Sequence, residues 1–249
     1  MVTEYVLLGA IGFLAQLVDG ALGMAFGVIS TTAMLSMGMP PAQASALVHT
    51  AEIFTTAASA GSHIWHRNVD WRLVIRLGVA GVIGAVLGAW ILSNIDASAA
   101  RPFIAAYLAL VGVFILFKAW RGIPARDAPT PWVAPIGFVA GLLDASGGGG
   151  WGPVATSTLV GSGHAPRMAV GSVNTTEFFV TVAAATTFFV ELGASPWREL
   201  LALVIGGLLA APRGGWAVKR IPARVLMIAV GCLVIGLSCW QIARALKFV

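Results

Sequence analysis

Charge is what this sequence has least of. Only 10% of its 249 residues are charged and 58% are hydrophobic, with a mean hydropathy of +0.90. An ordinary soluble domain carries about 25% charged residues, so this chain cannot build a water-facing surface. Cysteine is nearly absent. Cys232 and Cys239 lie seven apart on one apolar segment, too far along a straight helix to bridge each other, and read as small packed residues. That excludes a disulfide framework, and no metal or cofactor motif is present. The opening EYVLLGAIGFLAQ lacks a basic flank and a small-residue cleavage site, so it is expected to belong to the fold rather than to a signal peptide. Strict apolar–polar alternation is missing too, which excludes a transmembrane barrel.

What is present is a series of apolar runs, many long enough to cross a bilayer, roughly 17–25 residues each. The fold class is therefore an all-α polytopic membrane protein. The net charge of +5 is no nucleic-acid signal, because the basic residues sit in short loops beside the apolar runs, where they set orientation.

The chain reads as two copies of one unit, the kind of repeat that fixes an architecture. GFLAQLVDGALGMAFG begins at Gly12 and GFVAGLLDASGGGGWG at Gly137, an offset of 125 residues. It pairs Asp19 with Asp144, Gly23 with Gly148, Gly27 with Gly152, Thr50 with Thr175 and Glu52 with Glu177. Each copy holds five apolar segments, near 5–19, 22–38, 43–63, 73–93 and 102–120, then 132–144, 149–162, 168–190, 198–218 and 224–246. The expected organisation is a first repeat over 1–121, a cytoplasmic linker over 122–131 and a second repeat over 132–249. Loop charges place HIWHRNVDWR and KAWRGIPAR in the cytoplasm, which makes the halves inverted relative to each other. Arg244 and Lys247 then fall outside, against that rule.

The first two segments of each half are short and broken by glycine, so they read either as re-entrant or as fully spanning segments. A broken helix in bare hydrocarbon leaves backbone groups unpaired, which is tolerated only around a polar cavity or inside protein. A helix beginning after such a break points N–H groups and a positive dipole end inward. Gly23 and Gly27 in one half, with Gly147, Gly148, Gly149 and Gly150 in the other, are candidates for binding a small anion. Close helix packing explains glycines as well, as small residues do in membranes.

Ser45, His49, Glu52 and Thr56 share one helix face, as do Val170, Asn174, Glu177 and Thr181, because their spacing follows the helical period. Intramembrane acids face cavities or partners, so Glu52 and Glu177 read as proton-coupling groups or as structural support, with His49 the natural partner of Glu52. Asp19 and Asp144 end the first helix of each half and serve either coupling or the freed backbone. Thr50, Asn174 and Thr175 join the candidate substrate site. Arg213 does so too, by forked hydrogen bonds to an oxyanion, unless it snorkels to the interface. Most tryptophans fall near segment ends, an interfacial belt; Trp151 is expected to line the cavity.

The glycine-broken openings, GMPPAQASAL and GHAPRMAVGS, the NVDWR loop and the AAP helix together resemble the TauE/SafE sulfite exporter family over nearly the whole chain. The resemblance implies a carrier in the bacterial or archaeal inner membrane, working in the lipid bilayer, for sulfite, organosulfonate or thiosulfate. With the interior negative an anion leaves downhill, and import would need protons or sodium as coupling ion. The resemblance leaves a homodimer open. Two other readings compete: an intramembrane enzyme using Ser146 with His49, and a membrane subunit acting only with a partner chain.

Overall fold

A computed structural model describes residues 2–121, 132–162, 164–220 and 222–245, so the expected linker lies outside the described residues. Every regular element among them is helical: α1 (Val2–Leu22), α2 (Phe26–Ser36), α3 (Pro41–Trp65), α4 (Trp71–Asn94) and α5 (Ala97–Arg121). The second half follows with α6 (Val133–Gly147), a π-turn (Gly152–Thr156) running into α7 (Ser157–Gly161), then α8 (Pro166–Leu192), α9 (Trp197–Arg220) and α10 (Ala223–Ala245). Among the described residues, four helical stretches are long and apolar enough to cross a membrane: Trp71–Asn94, Ala97–Arg121, Met168–Leu192 and Arg224–Arg244. The first segment is longer than its sequence pattern suggests, since α1 carries 21 residues through the polar pair Gln16 and Asp19.

Local rules fix the ends. Pro41 and Pro166 open α3 and α8, where the missing N–H costs nothing and φ is preset. Asp70 caps α4 by accepting from Arg72 N at 2.9 Å and Leu73 N at 3.4 Å. Asp96 caps α5, accepting from the Ser98 hydroxyl and from Ser98 N and Ala99 N, and these bonds hold its carboxyl below the usual carboxylate range. Asp70→Ala should cost about 0.5–2 kcal/mol, read as an earlier thermal midpoint in detergent. An unchanged midpoint would mean that α4 is held by packing alone.

Glycine brings helices together in two equivalent pairs. α4 packs parallel to α6: a Cβ at Gly84 would meet the Phe138 backbone, one at Gly88 that of Leu142, one at Gly137 that of Leu77 and one at Gly141 that of Gly81. α1 packs parallel to α9 in the same way through Gly12 against Leu203 and Gly206 against Gly9. Such small-residue contacts replace the hydrophobic drive that lipid removes. The other side of α4 carries Ile75, Val79, Ile83 and Trp90, all exposed, as a lipid-facing stripe should be. Cys232 and Cys239 are exposed on α10 as well, which corrects the expectation of packed residues. They stand on the outer face of a helix whose buried side is Val230, Val234, Ser238 and Gln241.

The equivalent helices α3 and α8 lie side by side and antiparallel. Asn174, near the start of α8, donates to Ser59 near the end of α3 at 3.2 Å. At the opposite end, Phe188 of α8 packs against His49 of α3, with ring centroids 5.9 Å apart and planes tilted by 47°. Exposed tryptophans 65, 71, 90, 120, 132, 197 and 240 sit near helix ends, matching the interfacial belt.

Candidate functional site

The two breaks meet at the centre. Gly148 and Gly149 have φ of 74° and 150°, and Gly23 and Ala25 have 65° and 105°, so the chain turns through the left-handed region at both places. A Cβ on Gly27 would lie 3.2 Å from Gly149 Cα, and one on Gly152 would lie 2.7 Å from Met24 Cα. Those are the same contact seen twice, because Met24 and Gly27 correspond to Gly149 and Gly152 at the offset of 125. Thr156 donates to the Gly23 carbonyl at 3.2 Å, and Thr31 abuts Gly148 in the equivalent position.

The glycine run is packed rather than open. Gly147 and Gly150 leave room for the Tyr107 ring, whose hydroxyl donates to the Gly149 carbonyl at 2.8 Å. The N–H groups expected to point into a cavity go elsewhere: Gly150 N and Trp151 N donate to Asp144 Oδ1 at 2.8 and 3.0 Å. Asp19 holds the equivalent place more loosely, accepting from Phe26 N at 3.5 Å. Of the two roles open to these aspartates, supporting the freed backbone is the one these contacts carry. Trp151 is fully buried and donates from Nε1 to the Val173 carbonyl at 3.2 Å, so it plugs the core instead of lining a cavity. Its indole body is apolar and only its N–H needs a partner.

His49 is not the partner of Glu52 alone. Its Nδ1–H donates to the Ser45 carbonyl at 2.8 Å, and its Nε2 lies 3.2 Å from Asp144 Oδ2. With Nδ1 carrying a hydrogen, the contact between Nε2 and Asp144 is a bond only when one proton is shared there. Ser45 completes the link by donating to the Ala145 carbonyl at 2.9 Å. Donor atoms of His49, Glu52 and Asp144 lie within 4.8 Å of one another, close enough to share a proton or a cation. Glu52 Oε1 faces Gly27, while Oε2 is buried with no hydrogen-bond partner among the described residues. Glu177, also buried, sits within electrostatic reach of Glu52, Asp19 and Asp144. One member of each expected stripe, Glu52 and Glu177, therefore belongs to one buried acidic cluster.

The remaining candidates separate. Thr50 and Thr175 each donate back to their own helix, to Ala46 at 2.6 Å and Gly171 at 2.7 Å. Asn174 stands at a cavity of about 510 Å³ lined by Gln16, Gly20, Thr55, Ser59, Ser62 and His63 with apolar neighbours. Its Oδ1 and the Oε1 of Gln16 are buried and unpartnered among the described residues. Arg213 belongs to α9, but its side chain falls outside the described residues. At the opposite end the equivalent positions are Gly141, Ala145, Val180, Ala184, Thr187 and Phe188, and all but Thr187 are buried. One location is a polar cavity; the equivalent residues of the other copy are mostly apolar and buried.

The nucleophile–base reading loses its geometry. Ser146 donates to the Leu142 carbonyl at 2.6 Å, and both His49 nitrogens are engaged by Ser45 and Asp144. Sequence reasoning missed Tyr107 and Lys118. Tyr107 was signalled as one of only two tyrosines, placed mid-helix where a phenol needs a partner. Lys118, read as part of a basic loop, is a buried residue of α5 whose ammonium bonds the Ser157 hydroxyl.

The family model described as Sulfite exporter TauE/SafE matches residues 8–240. The chain belongs to that family. A protein of Bacillus subtilis (strain 168) called "Probable membrane transporter protein YtnM" is 42% identical over 234 residues, covering 90% of this chain and 78% of its own length. No solved structure matches. This TauE/SafE member is an integral membrane transporter.

Proposed function

We propose that the protein is a secondary carrier of small sulfur-containing anions, sulfite, organosulfonate or thiosulfate, with its site between the two halves of the chain (1–121 and 132–249), in the polar cavity bounded by α1, α3 and α9. The observation that carries this reading is the cavity of about 510 Å³, within the usual range of small-molecule sites, about 300–1,000 Å³. Hydroxyls, the Gln16 amide and His63 line it among apolar neighbours, and its described lining residues include no carboxylate. Neutral donors suit an anion that must be bound and then released. The sulfur in the substrate class comes from the family description.

The cavity reaches Gly20, beside Asp19, whose charge acts on Glu52 and Glu177. Protons or sodium at this cluster would couple to the anion. With a negative interior, each elementary charge is worth about 2.3 kcal/mol per 100 mV, so an anion leaves downhill and import needs the coupling ion.

A melting-temperature screen of the purified protein tests the substrate class, using sulfite, thiosulfate, taurine, sulfoacetate and matched carboxylates. A true ligand at a hundredfold excess over its Kd adds about 2.7 kcal/mol to the folded state. A response to carboxylates alone, or none in folded protein, would remove the sulfur-anion reading. Glu52→Gln tests the coupling: in proteoliposomes, anion exchange should persist while transport driven by an ion gradient is lost. Gradient-driven transport at the wild-type rate would sink that role.

A further inference from the structure

A second polar cavity lies at the far end of the molecule from the first, where α2 ends, α5 begins and α10 ends. It holds about 190 Å³ and is lined by Leu35, Ser36, Arg101, Gln241 and Arg244. Two of the five are guanidinium groups, and none is a carboxylate.

The wall is built, not incidental. Gln241 is 5% exposed, and its amide Nε2 donates to the Thr32 carbonyl at 3.1 Å and to Ser36 Oγ at 3.0 Å. Its Oε1 is left buried with no partner among the described residues, an arrangement that costs free energy unless water or a hydrated ligand reaches it. Arg101 uses Nη2 to cap the α2 turn, donating to Gly38 O at 2.9 Å and Met39 O at 3.0 Å. A guanidinium has five N–H donors, so capping leaves most of its fork available. Arg244 makes no ion pair or hydrogen bond among the described residues. Capping accounts for Arg101; it gives no reason for Arg244 or for the open carbonyl of Gln241.

We infer that this cavity is a second anion site, which takes a small oxyanion between Arg101 and Arg244. Paired guanidiniums recognise oxyanions by forked, charge-assisted hydrogen bonds, and water carried with the ion satisfies Gln241; Ser36 Oγ only shapes the wall, because its one proton goes to the Thr32 carbonyl at 2.9 Å. The site also accounts for two arginines at the end where loop charge favours few cations. Its purpose, raising the anion concentration at that mouth, rests on the anion-transport reading; the binding itself does not.

Titration calorimetry on the full chain in nanodiscs, with sodium sulfite and sodium sulfate against sodium chloride, tests the site. Arg244→Gln should weaken oxyanion affinity about tenfold or more, the loss of one charge-assisted contact, without moving the ligand-free melting temperature. Ser59→Leu, which fills the first cavity, should leave this binding intact. In proteoliposomes Arg244→Gln should raise KM for sulfite offered to this face and leave kcat unchanged. Isotherms identical in wild type, Arg244→Gln and Arg101→Gln would overturn the proposal, as would no oxyanion heat in the wild type. Binding lost in Arg244→Gln from a protein that transports no sulfur anion would keep the site and discard the transport reading.

Discussion

Alanine at position 149 should abolish transport and destabilise the folded protein by several kcal/mol. Two causes add. The new Cβ would stand 2.5 Å from Val28 N, 2.8 Å from Val28 Cα and 2.9 Å from the Gly27 carbonyl carbon, all of them backbone atoms that cannot swing aside. Overpacking of this kind costs about 1–3 kcal/mol. The φ of 150° is a region reserved for glycine, and holding alanine there adds roughly 1–3 kcal/mol. Gly38→Ala separates the two effects, because Gly38 has a φ of 94° with nothing within 4 Å of its Cβ position. It should show the strain alone. Equal melting temperatures for the two variants would mean that the breaks do not touch as described.

Asp144→Ala should be the most damaging single change among the buried polar residues. It strips the acceptor from Gly150 N and Trp151 N and the partner from His49. Breaking a buried charged pair by removing one member costs about 3–5 kcal/mol. His49→Gln should cost less, since it leaves both backbone bonds to Asp144 in place. The double variant Asp144→Ala/His49→Gln should then be little worse than Asp144→Ala, because contacting residues in one network are not additive. Purely additive losses in thermal or denaturant unfolding would show that the 3.2 Å contact between them contributes nothing.

Much of the fold was legible in the sequence because lipid imposes few solutions. Scarce charge and long apolar runs leave helices as the economical answer, and the offset of 125 residues exposed the duplication. Glycine breaks were found where the backbone does turn, at 23–25 and 148–149. The partners across the breaks were not legible. His49 and Asp144 are 95 residues apart, and nothing in one copy announces which acid of the other it meets. Donation of the freed N–H groups to Asp144, rather than to a cavity, depends on the carboxylate folding back over its own break. Lys118 misled for a simpler reason. A lysine at the edge of a basic stretch reads as loop, while α5 runs on to Arg121 and turns its ammonium inward.

For the carrier proposed above, the unlike ends of the molecule bear on kinetics. Gln16, Ser59 and His63 line the polar cavity, and the equivalent positions in the other copy are Gly141, Ala184 and Phe188. A carrier whose two access routes differ in this way has unequal half-saturation constants on its two faces. Detailed balance still fixes the end point. For an uncoupled solute, the tighter face must also have the lower maximum rate in the same proportion, so the asymmetry sets how fast gradients relax in each direction and never where they come to rest. Divergence between the two copies is therefore a means of tuning unidirectional flux without any added energy source.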